Sequence, residues 1–435
     1  MIVAGVPTSW EQSTLANICG RGGGNIQTGP FGSQLHASDY VPIGVPSVMP
    51  QDIGDNVIRE DSIARITLED SLRLSRYLLE AGDIVYSRRG DVERRALVRP
   101  EQEGWLCGTG CLRIRPGSDI HSAYLSYYLG HPNVRQWIKQ HAVGATMPNL
   151  NTKILGAVPV VTPPLREQRS IAAVLGALDD KIGVNESIAE AAGELARAQM
   201  KALWRSLGVT SLTADGAPAG PNVRRTTLGR LCAENGGGIQ TGPFGSQLHA
   251  SEYVESGTPS VMPQNIGDNV IAEDGIARVT ASDARRLSKY SLLVGDIVYS
   301  RRGDVKRRAL VREYESGWLC GTGCLRVRLS GSPAESLFMS QYLGESEVQD
   351  WIVQHSVGAT MPNLNTSILA AVPVVQPSSQ ELEKIGAELA PLDARTTQGM
   401  HESRTLAALR DNLLPQLMSG KLRVRDAEKI VEDAV

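Results

Sequence analysis

The sequence predicts an α+β fold in which two globular domains lie in tandem, separated and connected by two long helices. The first observation is an internal repeat: residues 26–38, IQTGPFGSQLHAS, return letter for letter at 239–251, and SRRGDV, GWLCGTGCLR and VGATMPNLNT return after them in the same order. The second is that short β-type runs precede a helical stretch in each copy. The third is an amphipathic segment after each copy. An offset of 213 to 214 residues is far too long for a solenoid repeat.

Each copy begins with short apolar runs that Gly and Pro separate, which predicts a twisted sheet with long loops. In the first copy these runs lie at 45–48, 57–58, 83–86 and 111–114. The prolines of AVPVVTPP at 157–164 forbid a helix and predict an extended segment. Between the short runs and this extended segment lies a stretch in which mostly apolar residues recur at spacings of three and four, which predicts a helix. These residues are Tyr124, Tyr128, Val134, Trp137, Ile138 and His141, matched in the second copy by Met339, Leu343, Val348, Trp351, Ile352 and His355.

An Ala-rich segment after Pro164 predicts an amphipathic helix of about 35 to 40 residues, or about 50 Å. A second follows Pro377, and Pro391 should kink it. We expect the two to pack as an antiparallel coiled coil, which relates the domains by a pseudo-twofold axis. The predicted boundaries are 1–163 and 223–377 for the domains, 164–210 and 378–420 for the helices, 211–222 for a linker and 421–435 for a tail. The apolar stripe of the first helix comprises Ile171, Val174, Leu175, Leu178, Ile182, Ile188 and Leu195.

Composition indicates a globular chain, because 41% hydrophobic and 21% charged residues allow each copy its own core. No apolar run spans a membrane and no signal-peptide pattern opens the chain, so we expect a cytoplasmic protein. The six cysteines form two matched sets, expected as reduced thiols packed like small apolar side chains. Zinc bound with His36 or His249 is the alternative, but structural zinc sites usually show two Cys or Cys/His pairs. The cysteines are Cys19, Cys107 and Cys111, then Cys232, Cys320 and Cys324.

Charge is distributed unevenly. The net charge of −3 does not suggest a polyanionic partner, but residues 87–99 carry five Arg against two acids. The equivalent segment 300–312 carries six basic residues against one acid. Because local patches set the electrostatic footprint of a protein, these segments are candidates for binding nucleic acid.

The first repeated loop presents amides and hydroxyls around an aromatic ring. Glutamine can form a bidentate pair with adenine. The alternative is a tight Gly-Pro turn in which these side chains only cap the backbone. The candidate DNA-binding residues here are Gln27, Thr28, Phe31, Ser33, Gln34 and His36 in the first copy and Gln240, Thr241, Phe244, Ser246, Gln247 and His249 in the second.

Two further loops add candidates. Arginines that follow a strand suit phosphate or guanine contacts, with a solvated charged hairpin as the alternative. These residues are Ser87, Arg88, Arg89, Arg94 and Arg95, and Ser300, Arg301, Arg302, Arg307 and Arg308. The third loop could enter a DNA groove or simply cap the next helix. Its candidates are Thr146, Met147, Asn149 and Asn151, and Thr360, Met361, Asn363 and Asn365.

Catalytic motifs are missing from the sequence. The Gly runs at 22–24 and 236–238 lack the Lys-Ser/Thr of a phosphate loop. There is no Asn/Asp-Pro-Pro-aromatic tetrapeptide of an amino-methyltransferase. The matched Asp83/Asp296 and Asp91/Asp304 are too sparse for paired acid–base carboxylates, so turn and salt-bridge roles are expected. We therefore expect a binding protein that is not itself an enzyme and holds no metal.

Two signatures resemble the specificity subunits of Type I restriction-modification systems. They are PLREQRSI at 164–171, followed by Leu175 and by Leu178-Asp179, and LLPQLMSG at 413–420. The second copy departs from the first signature, since PSSQEL stands at 377–382. The resemblance implies two target-recognition domains, each of which reads half of a split DNA site. It also implies helices that act as a ruler and dock two methyltransferase subunits.

S-adenosylmethionine would then be bound by those partners and no cofactor by this chain, and motor-nuclease subunits would join restriction complexes. Since the repeated loops are identical and the helices are expected to be antiparallel, we predict an interrupted palindrome as the target. Domains related by translation would instead give a direct repeat. A tandem protein- or glycan-binding scaffold and a self-sufficient methyltransferase remain open alternatives.

Overall fold

The computed structural model describes residues 5–31, 34–144, 147–214, 220–244, 247–358 and 362–434. The strands of the first repeat are β1 Glu11–Thr14, β2 Asn25–Thr28, β3 Tyr40–Val41, β4 Val45–Val48, β5 Asp55–Asn56, β6 Ala64–Ile66, β7 Ile84–Ser87, β8 Arg95–Leu97, β9 Leu106–Cys107, β10 Cys111–Arg115 and β11 Pro159–Thr162. Those of the second repeat are β12 Val223–Thr227, β13 Gly238–Thr241, β14 Tyr253–Val254, β15 Thr258–Val261, β16 Asp268–Asn269, β17 Ala277–Val279, β18 Ile297–Ser300, β19 Arg308–Leu310, β20 Leu319–Cys320, β21 Cys324–Arg328 and β22 Pro373–Pro377.

The helices follow the same repeat. They are α1 Leu15–Arg21, α2 Leu68–Arg73, α3 Ser122–Gly130, α4 Pro132–His141, α5 Thr152–Gly156, α6 Leu165–Ser206, α7 Leu228–Glu234, α8 Ala281–Arg286, α9 Pro333–Tyr342, α10 Ser346–His355, α11 Thr366–Ala370, α12 Ser379–Met418 and α13 Val424–Glu432. The two long helices contain 42 and 40 residues.

The chain divides into two compact units. Unit 1 comprises the described residues of 1–184 and 402–435, and unit 2 those of 185–401. Each unit therefore contains one repeat and a part of each long helix. The predicted α+β class, with two sheet-containing domains and two long helices, is confirmed. The coiled coil and the pseudo-twofold axis stay predictions.

Unit 1 contains three sheets. A five-stranded sheet has the order β2-β10-β7-β8-β5, a four-stranded sheet has the order β3-β6-β4-β9, and β1 pairs with β11. Every pairing is antiparallel except β5 with β8 and β4 with β9. Unit 2 repeats this arrangement with β12 to β22. The run predicted at 57–58 is displaced, because Asn56 turns the chain at φ +61° and the strand is Asp55–Asn56.

The central strand β7 is buried on both faces, which explains its unbroken apolar sequence. Ile84 and Tyr86 lie in the main core of unit 1 with the helices. Val85 points to the other side, into a smaller core with Val48 and Cys107. Because successive side chains of a strand alternate between faces, one short strand serves both cores.

The long helix α6 contributes residues to the core of each unit. In unit 1 the predicted residues Ile171, Val174, Leu175 and Leu178 are buried, together with Leu406, Leu413 and Leu417 of α12. The prediction is wrong for Leu195, which is exposed. In unit 2 the buried residues of α6 are Ala196, Met200, Leu203 and Trp204, so the apolar stripe passes through Ala196 and not through Leu195.

Both long helices end with the same glycine cap. Gly208 and Gly420 have φ +64° and +69°, a conformation that glycine adopts without a steric penalty. Their amides donate to the carbonyls of Arg205 and Leu417. The amides of the residues that follow each glycine donate to the carbonyls of Trp204 and Gln416. The predicted tail contains α13, whose Ala427 and Val431 join the core of unit 1.

The first residues of the predicted linker are hydrogen-bonded to a glutamate of unit 2. The Glu347 carboxylate accepts hydrogen bonds from the amides of Leu212 and Thr213 at 2.9 and 3.0 Å. Residues 215–219 of this linker lie outside the described residues. Within the described ranges, no helix is both long and apolar enough to cross a membrane.

Candidate nucleic-acid interface

The register of the five-stranded sheet brings the first two repeated loops to one edge. Thr28, the last residue of β2, pairs with Leu112, and Ser87, the last residue of β7, pairs with Cys111 at the start of β10. The chain therefore leaves β2 and β7 beside the turn that enters β10. In unit 2 the pairs are Thr241 with Leu325 and Ser300 with Cys324.

The turn at 107–111 supports both loops. The Gly29 amide donates to the Cys111 carbonyl at 3.0 Å, and the Arg88 amide donates to the Gly110 carbonyl at 2.8 Å. Gly29 lies so close to the turn that a Cβ atom would be 2.2 Å from the carbonyl oxygen of Gly108. Only glycine fits this position, and sequence reasoning missed the turn although its GTG letters are repeated in the second copy.

The third loop is bonded to the second. The Leu150 amide donates to the Arg88 carbonyl at 2.8 Å, and the Gly90 amide donates to the Pro148 carbonyl at 3.1 Å. In unit 2 the Leu364 amide donates to Arg301 at 2.8 Å. We call the three loops together the loop edge, which comprises the described residues of 29–36, 88–94 and 143–151 in unit 1 and of 242–249, 301–307 and 357–365 in unit 2.

Several predicted site residues are exposed at the loop edge. Phe31 and Met147 have large apolar side chains that are exposed to solvent, and the Arg89 side chain is also exposed. His36 is also exposed. The counterparts of Phe31, Arg89 and His36 in unit 2, which are Phe244, Arg302 and His249, are exposed as well. This combination suits stacking against bases and contact with phosphates.

Other predicted residues have partners inside their own domain. Arg95 is only 4% exposed, and its guanidinium donates to the Ser126 carbonyl at 2.6 Å and to Asp55 at 3.2 Å. Ser87 is buried and donates to the Arg89 carbonyl. Arg308 and Ser300 repeat these roles in unit 2. These four positions hold the domain together and do not face the loop edge.

The glutamines and asparagines of the loops also make internal bonds. Gln27 accepts from Arg113 at 2.8 Å, and Gln34 accepts from the Tyr77 hydroxyl at 2.8 Å. Asn151 caps α5 by accepting from the Ile154 amide at 2.8 Å. The unit 2 residues in the same positions, Gln240, Gln247 and Asn365, accept from Arg326, Tyr290 and Ile368.

The remaining candidates are intermediate. Thr28, Thr241, Asn149 and Asn363 are half-buried. The backbones of Asn149 and Asn363 bridge to Arg89 and Arg302. Five predicted residues lie outside the described residues, namely Ser33, Thr146, Ser246, Thr360 and Met361.

Arg88 and Arg301 lie where the second loop leaves the sheet. Each is half-buried, and each has a buried Nε without a hydrogen-bond partner among the described residues. Arg94 and Arg307 extend further out and pair with Asp91 and Asp304 at 2.8 and 3.2 Å. The loop edge thus has three arginines per unit, of which the one at the base of the second loop is held most firmly by backbone bonds on both sides.

Acidic residues below the loop edge are structural. Asp83 is buried, accepts from Arg115 at 2.8 Å and accepts from the Glu80 amide at 2.9 Å. Asp296 does the same with Arg328 and the Leu293 amide. The expected salt-bridge roles of both aspartates, and of Asp91 and Asp304, are confirmed.

Four of the six cysteines flank the turn before β10 or β21, Cys107 and Cys111 in unit 1 and Cys320 and Cys324 in unit 2, whereas Cys19 and Cys232 lie in α1 and α7. All six are buried and unbridged, which confirms their predicted packing. Burial raises the pKa of the Cys107 and Cys320 thiols to about 12, so they stay protonated at neutral pH. The Cys111 thiol donates to the Val48 carbonyl at 3.3 Å. In the described part of the chain no three His, Cys, Asp or Glu side chains are grouped as metal ligands would be.

Comparison with known proteins finds chains that are similar to this one. Residues 8–192 match the model of the Type I restriction modification DNA specificity domain. The Type I restriction enzyme MjaIX specificity subunit of Methanocaldococcus jannaschii is 23% identical over 442 residues, which cover 97% of this chain and 95% of the relative. The MjaVIII specificity subunit of the same organism is 18% identical over 357 residues, with 80% and 77% covered.

A solved structure has the same fold. The S subunit of a Type-I restriction-modification system from M. genitalium superposes with a TM-score of 0.53 at 16% identity, over 95% of this chain and 96% of that one. The chain thus has two domains, and residues 8–192 match the Type I restriction modification DNA specificity domain. Its resemblance to the specificity subunits of these systems, first seen at 164–179 and 413–420, is confirmed.

Proposed function

We propose that this chain is the DNA sequence-specificity subunit of a Type I restriction-modification complex. It recognises a bipartite, interrupted-palindromic site through the two loop edges. The observation that carries the proposal is that both units present the same loop sequences on the same strand register. Two equal reading surfaces select two equal half-sites, and an antiparallel arrangement of the long helices places them on opposite strands.

The exposed residues at each loop edge supply the two kinds of contact that DNA recognition needs. Arginines reach phosphates or guanine, and aromatic side chains stack on bases. Arg88, Arg89 and Arg94, with Arg301, Arg302 and Arg307, are the residues that we assign to the DNA. Phe31 and Phe244 would stack on a base or pack against the sugar.

The long helices position the partners. We propose that α6 and α12 dock two methyltransferase subunits, which bind S-adenosylmethionine and carry out methyl transfer, while this chain binds no cofactor and is not catalytic. Restriction subunits would add to the same assembly. Helices of 42 and 40 residues suit half-sites that are about one to two duplex turns apart, at about 34 Å per turn.

A genome-wide map of methylated positions tests this proposal. The chain is expressed with its methyltransferase partner in a host that lacks the modification, and we expect one interrupted palindrome to be methylated on both strands. An asymmetric or directly repeated motif would contradict the equal reading of two opposed half-sites.

Two controls separate the alternatives. The purified chain without its partner should transfer no methyl group from S-adenosylmethionine to DNA, and transfer would make it a self-sufficient methyltransferase. It should bind DNA with an affinity that falls as salt rises, because phosphate contacts release counterions. If neither the chain nor its complex bound DNA in this way, a protein- or glycan-binding scaffold would be favoured.

A further inference from the structure

The surface beside the loop edge differs between the units, although the loop edges are nearly the same. The differing positions lie on α4 and α10, at the start of α5 and α11, and at one site in the second loop. Five of the differing pairs carry the argument, namely Glu93, Arg135, Gln136, Lys139 and Lys153 in unit 1 and Lys306, Gln349, Asp350, Val353 and Ser367 in unit 2. We call these two sets the flanks.

The flank of unit 1 is basic. Glu93, whose side chain is 10% exposed, is paired with both Lys139 and Arg135, the latter at 3.4 Å. The Lys139 side chain is 64% exposed. Lys153 is exposed on the first turn of α5. Three basic residues against one acid leave two net positive charges.

The flank of unit 2 is neutral. The sign of the second-loop residue is reversed, so that Lys306 pairs with Asp350 at 2.9 Å. The positions of Arg135, Lys139 and Lys153 hold Gln349, Val353 and Ser367, which carry no charge. One cation and one anion therefore cancel.

The unit 1 flank is continuous with the loop edge. Lys139 lines a surface cavity together with residues 90–93 of the second loop and Pro148 of the third. Lys153 lies two residues beyond the helix cap Asn151, which ends the third loop. A DNA duplex that rests on the loop edge would bring its phosphates beside these cations.

We propose that unit 1 holds the DNA backbone more strongly than unit 2 does, although both read the same bases. This inference rests on the proposed function. Because the exposed loop residues are the same, base readout is equal in the two units, and the extra cations of the unit 1 flank contact only phosphates on either side of the half-site. The specificity subunit is then symmetric in sequence recognition and asymmetric in sequence-independent affinity.

Exchanging the flanks tests the inference without leaving a charge unpaired. One variant gives unit 1 the unit 2 flank by Glu93→Lys, Arg135→Gln, Gln136→Asp, Lys139→Val and Lys153→Ser. A second variant makes the five reverse changes in unit 2. A third carries both sets and so has the two flanks exchanged. Each transplanted side chain already occupies the same place in the same fold, which makes misfolding improbable, and circular dichroism with a melting curve checks it.

The measurement is the salt dependence of binding to a duplex of random sequence, with the full chain in complex with its methyltransferase subunits. Each phosphate contact contributes about 0.9 to the slope of log affinity against log salt. We expect the slope to fall by about 2 in the first variant and to rise by about 2 in the second. Between about 50 and 200 mM salt, this difference corresponds to about tenfold in affinity. The third variant should match the wild type.

The outcomes distinguish the inference from the proposed function. If wild-type binding is steeply salt-dependent but all three variants share its slope, the flanks do not touch DNA and the inference is wrong. A slope that changes in the third variant would also overturn it, because total charge is unchanged there. Wild-type chain that shows no salt-dependent binding would contradict the proposed function itself.

Discussion

Arg88 and Arg301 are the best-supported arginines of the loop edge. Replacing both with Ala should weaken DNA binding for every sequence and lower the salt slope by about 2, one contact for each arginine. If they read guanine instead, discrimination at one symmetric base pair should fall by about 1 to 3 kcal/mol per half-site. Both effects are measurable by fluorescence anisotropy with matched and mismatched duplexes.

The control for this pair is Arg21→Ala with Arg230→Ala. These arginines are exposed on α1 and α7 and pair only with Glu11 and Glu234 in the described residues. DNA affinity should stay at the wild-type value in the control. Equal behaviour of the two double variants would remove Arg88 and Arg301 from the interface.

One position of the repeat should give the two units opposite responses to pH. His131, buried before α4, accepts from the Asn133 amide at 3.1 Å, and burial holds its pKa below the ordinary value near 6.5. Its counterpart Glu345 accepts from Trp204 at 3.2 Å, and burial raises the pKa of its carboxyl. At this position acid therefore destabilises unit 1, since His131 binds a proton more readily in the unfolded chain than in the folded unit. Acid stabilises unit 2, since the Glu345 carboxyl binds a proton more readily in the folded unit than in the unfolded chain.

Hydrogen exchange followed by mass spectrometry can resolve this prediction unit by unit between about pH 7 and 5. As pH falls, protection of the unit 1 core strands should decrease and protection of those in unit 2 should increase. His131→Gln should flatten the first trend and Glu345→Gln the second. Trends that survive both substitutions would show that other groups control the pH response.

The sequence could not distinguish Arg95 from its neighbours in the second loop. SRRGDVERR offers four arginines of equal character, and only the pairing of β8 with β7 and β5 decides that Arg95 points inward to Asp55. The same holds for Gln27, because its partner Arg113 is 86 residues away in the chain. Partners that far apart in sequence follow from the sheet register, which local patterns do not contain.

The short helix α5 links domain stability to the loop edge through its cap. Asn151→Asp together with Asn365→Asp should preserve both caps, because Asp caps helices as well as Asn does. It should nevertheless weaken DNA binding, because two negative charges would then stand at the loop edges. The corresponding Ala pair should lower stability by about 1 kcal/mol per helix. Thermal melts and binding titrations separate the two effects.

A matched substitution at Ser332 provides the control. Ser332 caps α9 by accepting from the Glu335 amide at 3.2 Å, and α9 follows the end of β21 that lies away from the loop edge. Ser332→Asp should leave DNA binding unchanged. If it weakened binding as strongly as the Asn151 and Asn365 changes, the loss would reflect total charge and not location.

The junction between the sheet domain and α12 depends on Arg410 in unit 1. Its side chain is 15% exposed and bridges Asp179 at 2.7 Å and Asp55 at 3.2 Å, while Tyr127 donates to Asp179. Arg410→Ala should destabilise unit 1 by about 3 kcal/mol, because it removes the cation beside the largely buried Asp179 carboxylate, whereas Asp55 keeps its pair with Arg95. Denaturant unfolding followed by hydrogen exchange gives the value for each unit.

The chain has its own control in Arg197, which lies beside Asp268, the counterpart of Asp55. Arg197 is 54% exposed and lies 3.8 Å from Asp268, so Arg197→Ala should cost under about 1 kcal/mol. In unit 2 the sheet domain is instead joined to α12 by an ion pair between Arg312 and Asp393 at 2.7 Å. Equal losses from Arg410→Ala and Arg197→Ala would contradict this difference.

Elements with strong periodicity or proline were predictable, and those that depend on a distant surface were not. The apolar spacing predicted both long helices, and AVPVVTPP predicted β11. By contrast, the apolar residues of α13 at 424, 427, 430 and 431 predict a helix but not the surface on which it packs, because that surface is distant in sequence. Leu195 is exposed because, at about 3.6 residues per turn, it lies about a third of a turn away from Ile171, whereas Ala196 lies nearly in line with Ile171.

At the scale of the molecule, the repeat predicted two domains but not the composition of the units. A tandem sequence repeat suggests that each domain is formed by one continuous segment of the chain. Unit 1 instead takes the end of α12 and all of α13 into its core, through Leu413, Leu417 and Val431. Nothing local in residues 402–435 indicates which domain they join, because that choice depends on contacts made across most of the chain.

This composition sets the order in which the units can be completed during translation. Unit 2 is continuous in sequence and has all its residues once His401 has left the ribosome, although it is encoded second. Unit 1 begins first but must wait through the 217 residues of unit 2 for its last helical segments. At about 5 to 20 residues per second, that delay is about 10 to 40 s. During it, the nascent unit 1 lacks Leu413, Leu417 and Val431, so we expect the part of its core that these residues complete to stay accessible to chaperones.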